Sequence, residues 1–342
     1  MQTPSITPMM SQFLKIKSQY TDALLFYRMG DFYELFFKDA EIAAAALNIT
    51  LTKRGKHNGQ DIPMCGVPFH SSENYLLNLI RKGHKVAVCE QLEKPEEAKK
   101  RGYKAVVKRD VVRLITPGTL TEERLLTDTQ NNFLLACKKI ESQYGVAWTD
   151  ISTGEFYCSS VNENSLLSLI NRILPSEIVI SEDIQEIINK FHFNTDVVIS
   201  PLPPQNFDAK IGQRRLESFF NIKSLEVFGD FKKSEIGAMS GLLSYLEITQ
   251  CTKKFPLTPP IKEAETKYLK IDASSRQSLE ITKALNGQTN GSLLGSINQT
   301  VTSGGARLLQ ERLNCPSTSV KEIIKRQDLV SFFVLNHSIM TK

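Results

Sequence analysis

Phe32-Tyr33-Glu34 lies in the run FYRMGDFYELFFKDA, residues 26 to 40, where an acidic residue stands among aromatic and aliphatic side chains just after a Gly-Asp pair. If residues 32 to 36 are extended, side chains alternate, so Phe32, Glu34 and Phe36 share one face while Tyr33 and Leu35 take the other. Phe32 and Glu34 would then stand about 7 Å apart and reach in the same direction. In a helix they would diverge by about 200°. An aromatic wedge beside a hydrogen-bonding carboxylate therefore requires an extended or turn backbone, which Gly30-Asp31 is placed to supply.

The chemistry open to such a pair depends on its surroundings. A carboxylate turned toward DNA phosphates is repelled, but one turned toward a base accepts an N–H. A neighbouring Phe enters between base steps and kinks the duplex in proteins that work in the minor groove. Together they would test how easily a step unstacks, and mispaired steps cost least. The alternative is a core Phe beside a solvated edge carboxylate.

Charge favours a polyanionic partner. The 342 residues carry a net charge of +5, and residues 1 to 120 hold 18 Lys and Arg against 12 Asp and Glu, so the whole excess lies in the first third. LTKRGKH, residues 51 to 57, gathers Lys53, Arg54, Lys56 and His57. It reads as a solvated loop or as a set of phosphate contacts, with Arg54 the first choice. Met29 reads as core packing or as a second apolar contact to the bases. KKRGYKAVVKR, residues 99 to 109, reads as a solvated basic face or as a further set of phosphate contacts.

Other chemistries find less support. Asp150 and Glu155 in WTDISTGEF would suit two-metal phosphodiester cleavage, which needs several carboxylates around cations about 3.5 to 4 Å apart. The following strand EIVIS has no acid at its centre. None of the five histidines falls in a recognisable hydrolase motif. There is no G-x-x-x-x-G-K-[ST], and the Gly55-Lys56 pair is followed by His57, so no phosphate-cradling loop for ATP and Mg is expected. Six scattered cysteines without a C-x-x-C pair read as reduced thiols.

The elements that must position Phe32 and Glu34 follow from pattern. Upstream of the polar stretch 116 to 132, strand-like runs (ALLFYRM, HKVAVCEQL, AVVKRDVVRLI) alternate with helical ones (FKDAEIAAAAL, SENYLLNLIRKG), which predicts an α/β domain. YGVAWTDISTGEFYCSS predicts two strands joined at Ser152-Thr153-Gly154, followed by a helix at SLLSLINRIL and the strand EIVIS, a second α/β unit. Three prolines in FPLTPPIKEAE, residues 255 to 265, end it. Beyond, SSRQSLEITKAL, SGGARLLQERL and SVKEIIKRQDLVSFFVLN carry helical spacing, with Ser319 and Glu322 as a capping box. No window reaches the 18 apolar residues of a membrane helix and the first arginine is Arg28, so a cytoplasmic protein is expected.

TPMMSQFLKIKSQYTDALLFYRMGDFYELF resembles the N-terminus of the MutS family of DNA mismatch-repair proteins, whose Phe-x-Glu motif matches Phe32-Tyr33-Glu34. The likeness continues in family order through LTKRG, IPMCGVPFHSSENYL, VAVCEQLEKP, VVRLITPGTL, DISTGEF, IDASSRQSLEI and TVTSGGARLLQERL. The resemblance implies a mixed α/β mismatch-recognition domain over 1–118, a ribonuclease-H-like α/β connector over 119–262 and a partial all-α core over 263–342. It implies that Phe32 stacks, that Glu34 accepts from a mispaired base, and that the partner is double-stranded DNA with mismatches or small loops. Family members continue into a clamp and an ATPase using ATP and Mg. This chain is therefore expected to be a non-enzymatic module, with the ATPase half missing or supplied separately. A split or decayed gene product, and a residual metal-dependent nuclease, are the alternatives.

Overall fold

A computed structural model of the chain describes residues 7–57, 59–102, 105–120, 131–191, 197–251, 255–264 and 266–336. The chain divides into two compact units, Met1–Leu126 with Leu243–Pro256, and Thr127–Leu242 with Leu257–Lys342.

The first unit begins with helix α1 (Pro8–Lys17), whose N-cap Thr7 hydroxyl accepts from the Met10 N–H at 3.3 Å. Strands β1 (Ala23–Met29) and β2 (Phe32–Phe36) follow, then α2 (Phe37–Leu47), β3 (Thr52–His57), β4 (Gln60–Pro68), α3 (Ser72–Arg81), β5 (Lys85–Gln91), α4 (Pro95–Lys100) and β6 (Arg109–Ile115). The six strands form one mixed sheet in the order β3-β4-β2-β1-β5-β6, parallel at β1–β5 and antiparallel elsewhere.

Alternation along β1 and β2 feeds two cores. Leu24, Phe26, Tyr33 and Leu35 pack with Ala40, Ala43, Leu76 and Leu79 of α2 and α3 on one face. Leu25, Tyr27 and Phe36 pack with Met10, Phe13 and Ile16 of α1 on the other. A sheet covered on both faces explains why β1 is apolar through its first five residues instead of alternating with polar ones. Buried Asp39, in the first turn of α2, accepts the Leu25 N–H at 3.0 Å and pairs with Lys17 Nζ at 2.9 Å. Of the expected strands, AVVKRDVVRLI starts four residues late, at Arg109.

In the second unit β7 (Phe133–Ile140), β8 (Gln143–Asp150) and β9 (Glu155–Val161) make an antiparallel meander. Then come α5 (Glu163–Ile173), β10 (Glu177–Ser181), α6 (Gln185–Ile188), β11 (Val198–Leu202), α7 (Ala209–Phe219) and α8 (Lys233–Gln250), whose last turns belong to the first unit. Strand β12 (Ile261–Lys262) completes the order β11-β10-β7-β8-β9-β12. The proline-rich stretch that was expected only to end the unit thus adds a two-residue edge strand just after Pro259 and Pro260. Helix α5 buries Leu166, Leu169, Ile170 and Ile173 against Leu135, Val146, Trp148, Ile178 and Ile180.

Helices α9 (Ala273–Ser278), α10 (Leu293–Ile297), α11 (Ser303–Asn314) and α12 (Val320–Leu335) follow. The helix expected over 274–285 stops at Ser278, because Glu280 turns to φ +45° and accepts the N–H groups of Leu285 and Leu293 instead. Ser319 does cap α12, but Glu322 completes no reciprocal bond and pairs with Arg326 at 2.9 Å. Among the described residues no helix is long and apolar enough to cross a membrane.

Candidate nucleic-acid interface

β1 and β2 form a two-residue hairpin with Met29 opposite Phe32 and Gly30 at φ +60° in its first central position, a conformation that favours glycine. The expected extended backbone at 32–36 is present. Phe32 is 48% exposed, whereas the Tyr33 next to it is buried. Phe32 therefore stands out from the sheet at its open end, on the face that α1 covers farther back.

Tyr33 is the counterweight. Its ring packs against Phe26 and Phe69, and its hydroxyl donates to the Glu90 carboxylate on β5. The Arg28 guanidinium lies over Phe69, 3.3 Å from the ring centroid, and its Nε donates to the Gly30 carbonyl at 2.5 Å. The Phe69 N–H donates to the Asp31 carbonyl at 2.8 Å, fastening the hairpin tip to the end of β4. Burial, and then Glu90, push the Tyr33 hydroxyl well above the usual phenol range. None of these supports was foreseen from sequence, although the inward position of Tyr33 follows from the alternation that sends Phe32 outward.

Glu34 stands opposite Tyr27 on one side and Gly66 on the other. A Cβ at Gly66 would lie 3.8 Å from Glu34 Cγ, an ordinary van der Waals contact. Both Glu34 oxygens accept from Arg54 Nη1. The Glu34 side chain is 14% exposed and that of Arg54 43%, which leaves the guanidinium on the outer side of the pair.

Strands β3 and β4 carry the remaining basic candidates toward the other end of β4: Phe32 pairs with Pro68, whereas Lys53 and Lys56 pair with Pro63 and Asp61. Their register shifts between Lys53 and Lys56, around Gly55 at φ +72°, which makes an irregular, charged edge. Lys53 pairs with Asp61 at 2.9 Å, and Lys56 is exposed opposite Asp61 in the register. The Lys53 ammonium holds the Asp61 carboxyl below the usual carboxylate range. LTKRGKH is therefore a strand and not the loop considered above. Met29 is half-buried and packs on the α1 side of the sheet. In the 99–109 cluster, Arg101 is engaged with Glu93 and Arg109 donates to the Arg28 carbonyl at 2.7 Å, so these two are structural.

The acidic pair in the second unit is differently employed. Asp150 is buried and its oxygens accept from the Asn132 N–H at 2.9 Å, the Ser152 N–H at 2.9 Å and the Ser152 hydroxyl at 2.6 Å. The two from Ser152 cap the β8–β9 turn, and the one from Asn132 ties in the segment before β7. Burial, then Glu311 and Asp150, push the Glu155 carboxyl above its usual range. Among the described residues, no three His, Cys, Asp or Glu side chains are grouped to hold a metal ion.

The first unit is thus an α/β module with an exposed aromatic beside a restrained carboxylate, and with exposed basic side chains at Lys53, Arg54 and Lys56 on its edge hairpin. Comparison with known proteins identifies the domains. Residues 7–124 match MutS domain I, residues 132–259 match MutS domain II and residues 274–342 match MutS domain III. The chain belongs to the MutS family. It is 50% identical over 337 residues to a DNA mismatch repair protein MutS of Ruegeria pomeroyi, covering 98% of this chain and 38% of that protein. The MutS of another Ruegeria strain is 51% identical over 331 residues (96% and 38%), and that of Roseobacter denitrificans 48% over 335 (98% and 38%). The chain thus spans 38% of the length of these relatives.

Proposed function

We propose that this chain binds mismatched double-stranded DNA through the open end of its first sheet, with Phe32 as the stacking wedge and Glu34 as the acceptor from a mispaired base. The observation that carries this reading is the division of labour along β2: Phe32 exposed, Glu34 beside it on the same face, and Tyr33 locked into the opposite core. Lys53, Arg54 and Lys56 supply attraction to phosphates, and Met29 adds an apolar contact beside Phe32. On this reading 1–118 is the recognition domain, 119–262 a ribonuclease-H-like connector and 263–342 the start of a helical core, in a cytoplasmic repair protein. The chain itself is not an enzyme. ATP and Mg act in a part of the relatives that the match does not cover, and that part, fused or separate, is the partner of this one.

A residual nuclease is the weaker alternative, because the Asp150 oxygens are already engaged, one by Ser152 in the turn and the other by the Asn132 N–H. Fluorescence anisotropy with a fully paired duplex and a G·T duplex tests the main reading. Phe32→Ala should weaken binding by roughly 1 to 3 kcal/mol through the lost stack. Glu34→Ala should hold or raise affinity for paired DNA while lowering preference for the mismatch, since it removes a base contact and releases Arg54 to the phosphates. If both substitutions weaken the two duplexes alike, the roles are wrongly assigned.

A further inference from the structure

The site contains a competition that neither residue reveals alone. Glu34 is useful to a base only through its two oxygens, and in the free protein both are taken by Arg54 Nη1. Arg54 is also the basic residue nearest that carboxylate, and being 43% exposed it is open to phosphates. Three acceptors or donors therefore contend for two groups: Arg54 for the carboxylate, a base N–H for the same carboxylate, and a phosphate for Arg54. Charge-assisted pairs of this kind are the stronger hydrogen bonds in proteins, so the exchange is worth enough to bias binding.

We propose that Arg54 is a specificity-determining residue that competes with the base for Glu34, and so softens the discrimination that Glu34 provides. The inference rests on the reading of Glu34 as a base acceptor. With the pair closed, Glu34 presents little net charge, and paired DNA, whose Watson–Crick N–H groups are engaged in pairing, is tolerated. A mispaired base with an available N–H displaces Nη1 from one oxygen, and the guanidinium turns outward to a phosphate. Without Arg54, Glu34 would meet paired DNA as a bare charge and repel it, while a mispaired base would find the carboxylate uncontested. Removing a positive charge from a DNA-binding surface should then sharpen selectivity while lowering affinity. A phosphate contact alone would lower affinity for both duplexes by the same factor.

The test is a double-mutant cycle in the 342-residue chain, with paired and G·T duplexes titrated at two salt concentrations. Arg54→Gln should weaken paired DNA more than G·T DNA, raising the affinity ratio by about threefold to tenfold, the scale of one hydrogen bond to a charged group. Arg54→Lys, which keeps the charge, should stay near the wild-type ratio. In the Glu34→Gln background, Arg54→Gln should leave the ratio where Glu34→Gln put it. Equal weakening of both duplexes in the wild-type background, or a fall in the ratio, overturns the proposal and leaves Glu34's own role standing. A wild-type ratio of one, or a ratio that Glu34→Gln does not change, sinks the base contact itself and the competition with it. Thermal unfolding of each variant separates these effects from folding, since a partly exposed pair of this kind contributes no more than about 1 kcal/mol to stability.

Discussion

Tyr33 on β2 reaches past β1 to donate its hydroxyl to the carboxylate of Glu90 on β5. This bond joins two strands that are not neighbours, on the face of the sheet opposite the exposed Phe32. The middle residue of the Phe-Tyr-Glu sequence thus holds the backbone from which the outer two project.

Tyr33→Phe keeps the ring packing and removes only that bond, leaving a half-buried Glu90 carboxylate without its donor. The expected loss is about 1 to 2 kcal/mol of stability, seen as a lower urea midpoint at unchanged m-value. An unaltered midpoint would show that the bond contributes nothing to the hairpin.

Phe32→Ala should behave in the reverse manner. Half of the side chain is already in solvent, so urea unfolding should change by no more than about 0.5 kcal/mol. A loss of several kcal/mol would identify Phe32 as core and remove the wedge from consideration.

The thiols make the fold sensitive to alkali. Burial pushes Cys65 up to about 11, and Cys89 and Cys137 up to about 12. Their unfolded values lie near 8.5, so the native state holds protons that the unfolded chain releases. The stabilisation from this source is complete below about pH 8.5 and is lost progressively as pH rises toward 11 to 12. Urea midpoints should therefore fall between pH 8 and 10.5, and fall less in Cys89→Ala. At pH 8, Ellman's reagent should react promptly with Cys251, the exposed one of the six, and with the others only on unfolding. Prompt reaction of two or more thiols would contradict the core assignment.

Asp150→Ala removes the acceptor of two hydrogen bonds at the β8–β9 turn and of one from Asn132 before β7, and should lower stability by about 1 to 3 kcal/mol. Incubating wild type and variant with supercoiled plasmid and Mg or Mn checks the alternative role. Metal-dependent nicking that disappears in Asp150→Ala at a temperature where the variant is folded would revive the nuclease.

Much of the site was legible because it is local. Alternation from Phe32 to Phe36 separates the wedge from the core, and Gly30 marks the turn that precedes it. The partner of Glu34 was not legible. Arg54 lies twenty residues downstream, and the register shift between Lys53 and Lys56 helps decide which basic side chain arrives beside the carboxylate. Lys53 and Arg54 look equivalent in LTKRGKH, yet one turns to Asp61 and the other to Glu34. Helical spacing misled at 279–285 for a related reason. Glu280 takes a left-handed backbone and uses its carbonyl and carboxylate to organise a loop with Leu285 and Leu293, a choice that periodicity does not register. The edge strand β12 was hidden beside prolines, because two residues after Pro259 and Pro260 are too short a run for alternation to show.

The short turn between β1 and β2 constrains chain length more tightly than residue identity. Gly30 and Asp31 are all that separate Met29 from its register partner Phe32. A single residue inserted there and absorbed by a shift of β2 would rotate the strand by one step and exchange its faces. Phe32 and Glu34 would be driven under α2 and α3, and the Tyr33 hydroxyl would be turned to solvent. Point changes on this hairpin are graded in their effect. Insertions and deletions of one residue turn the motif inside out, so natural variants of this surface should differ by substitution and keep the turn at two residues.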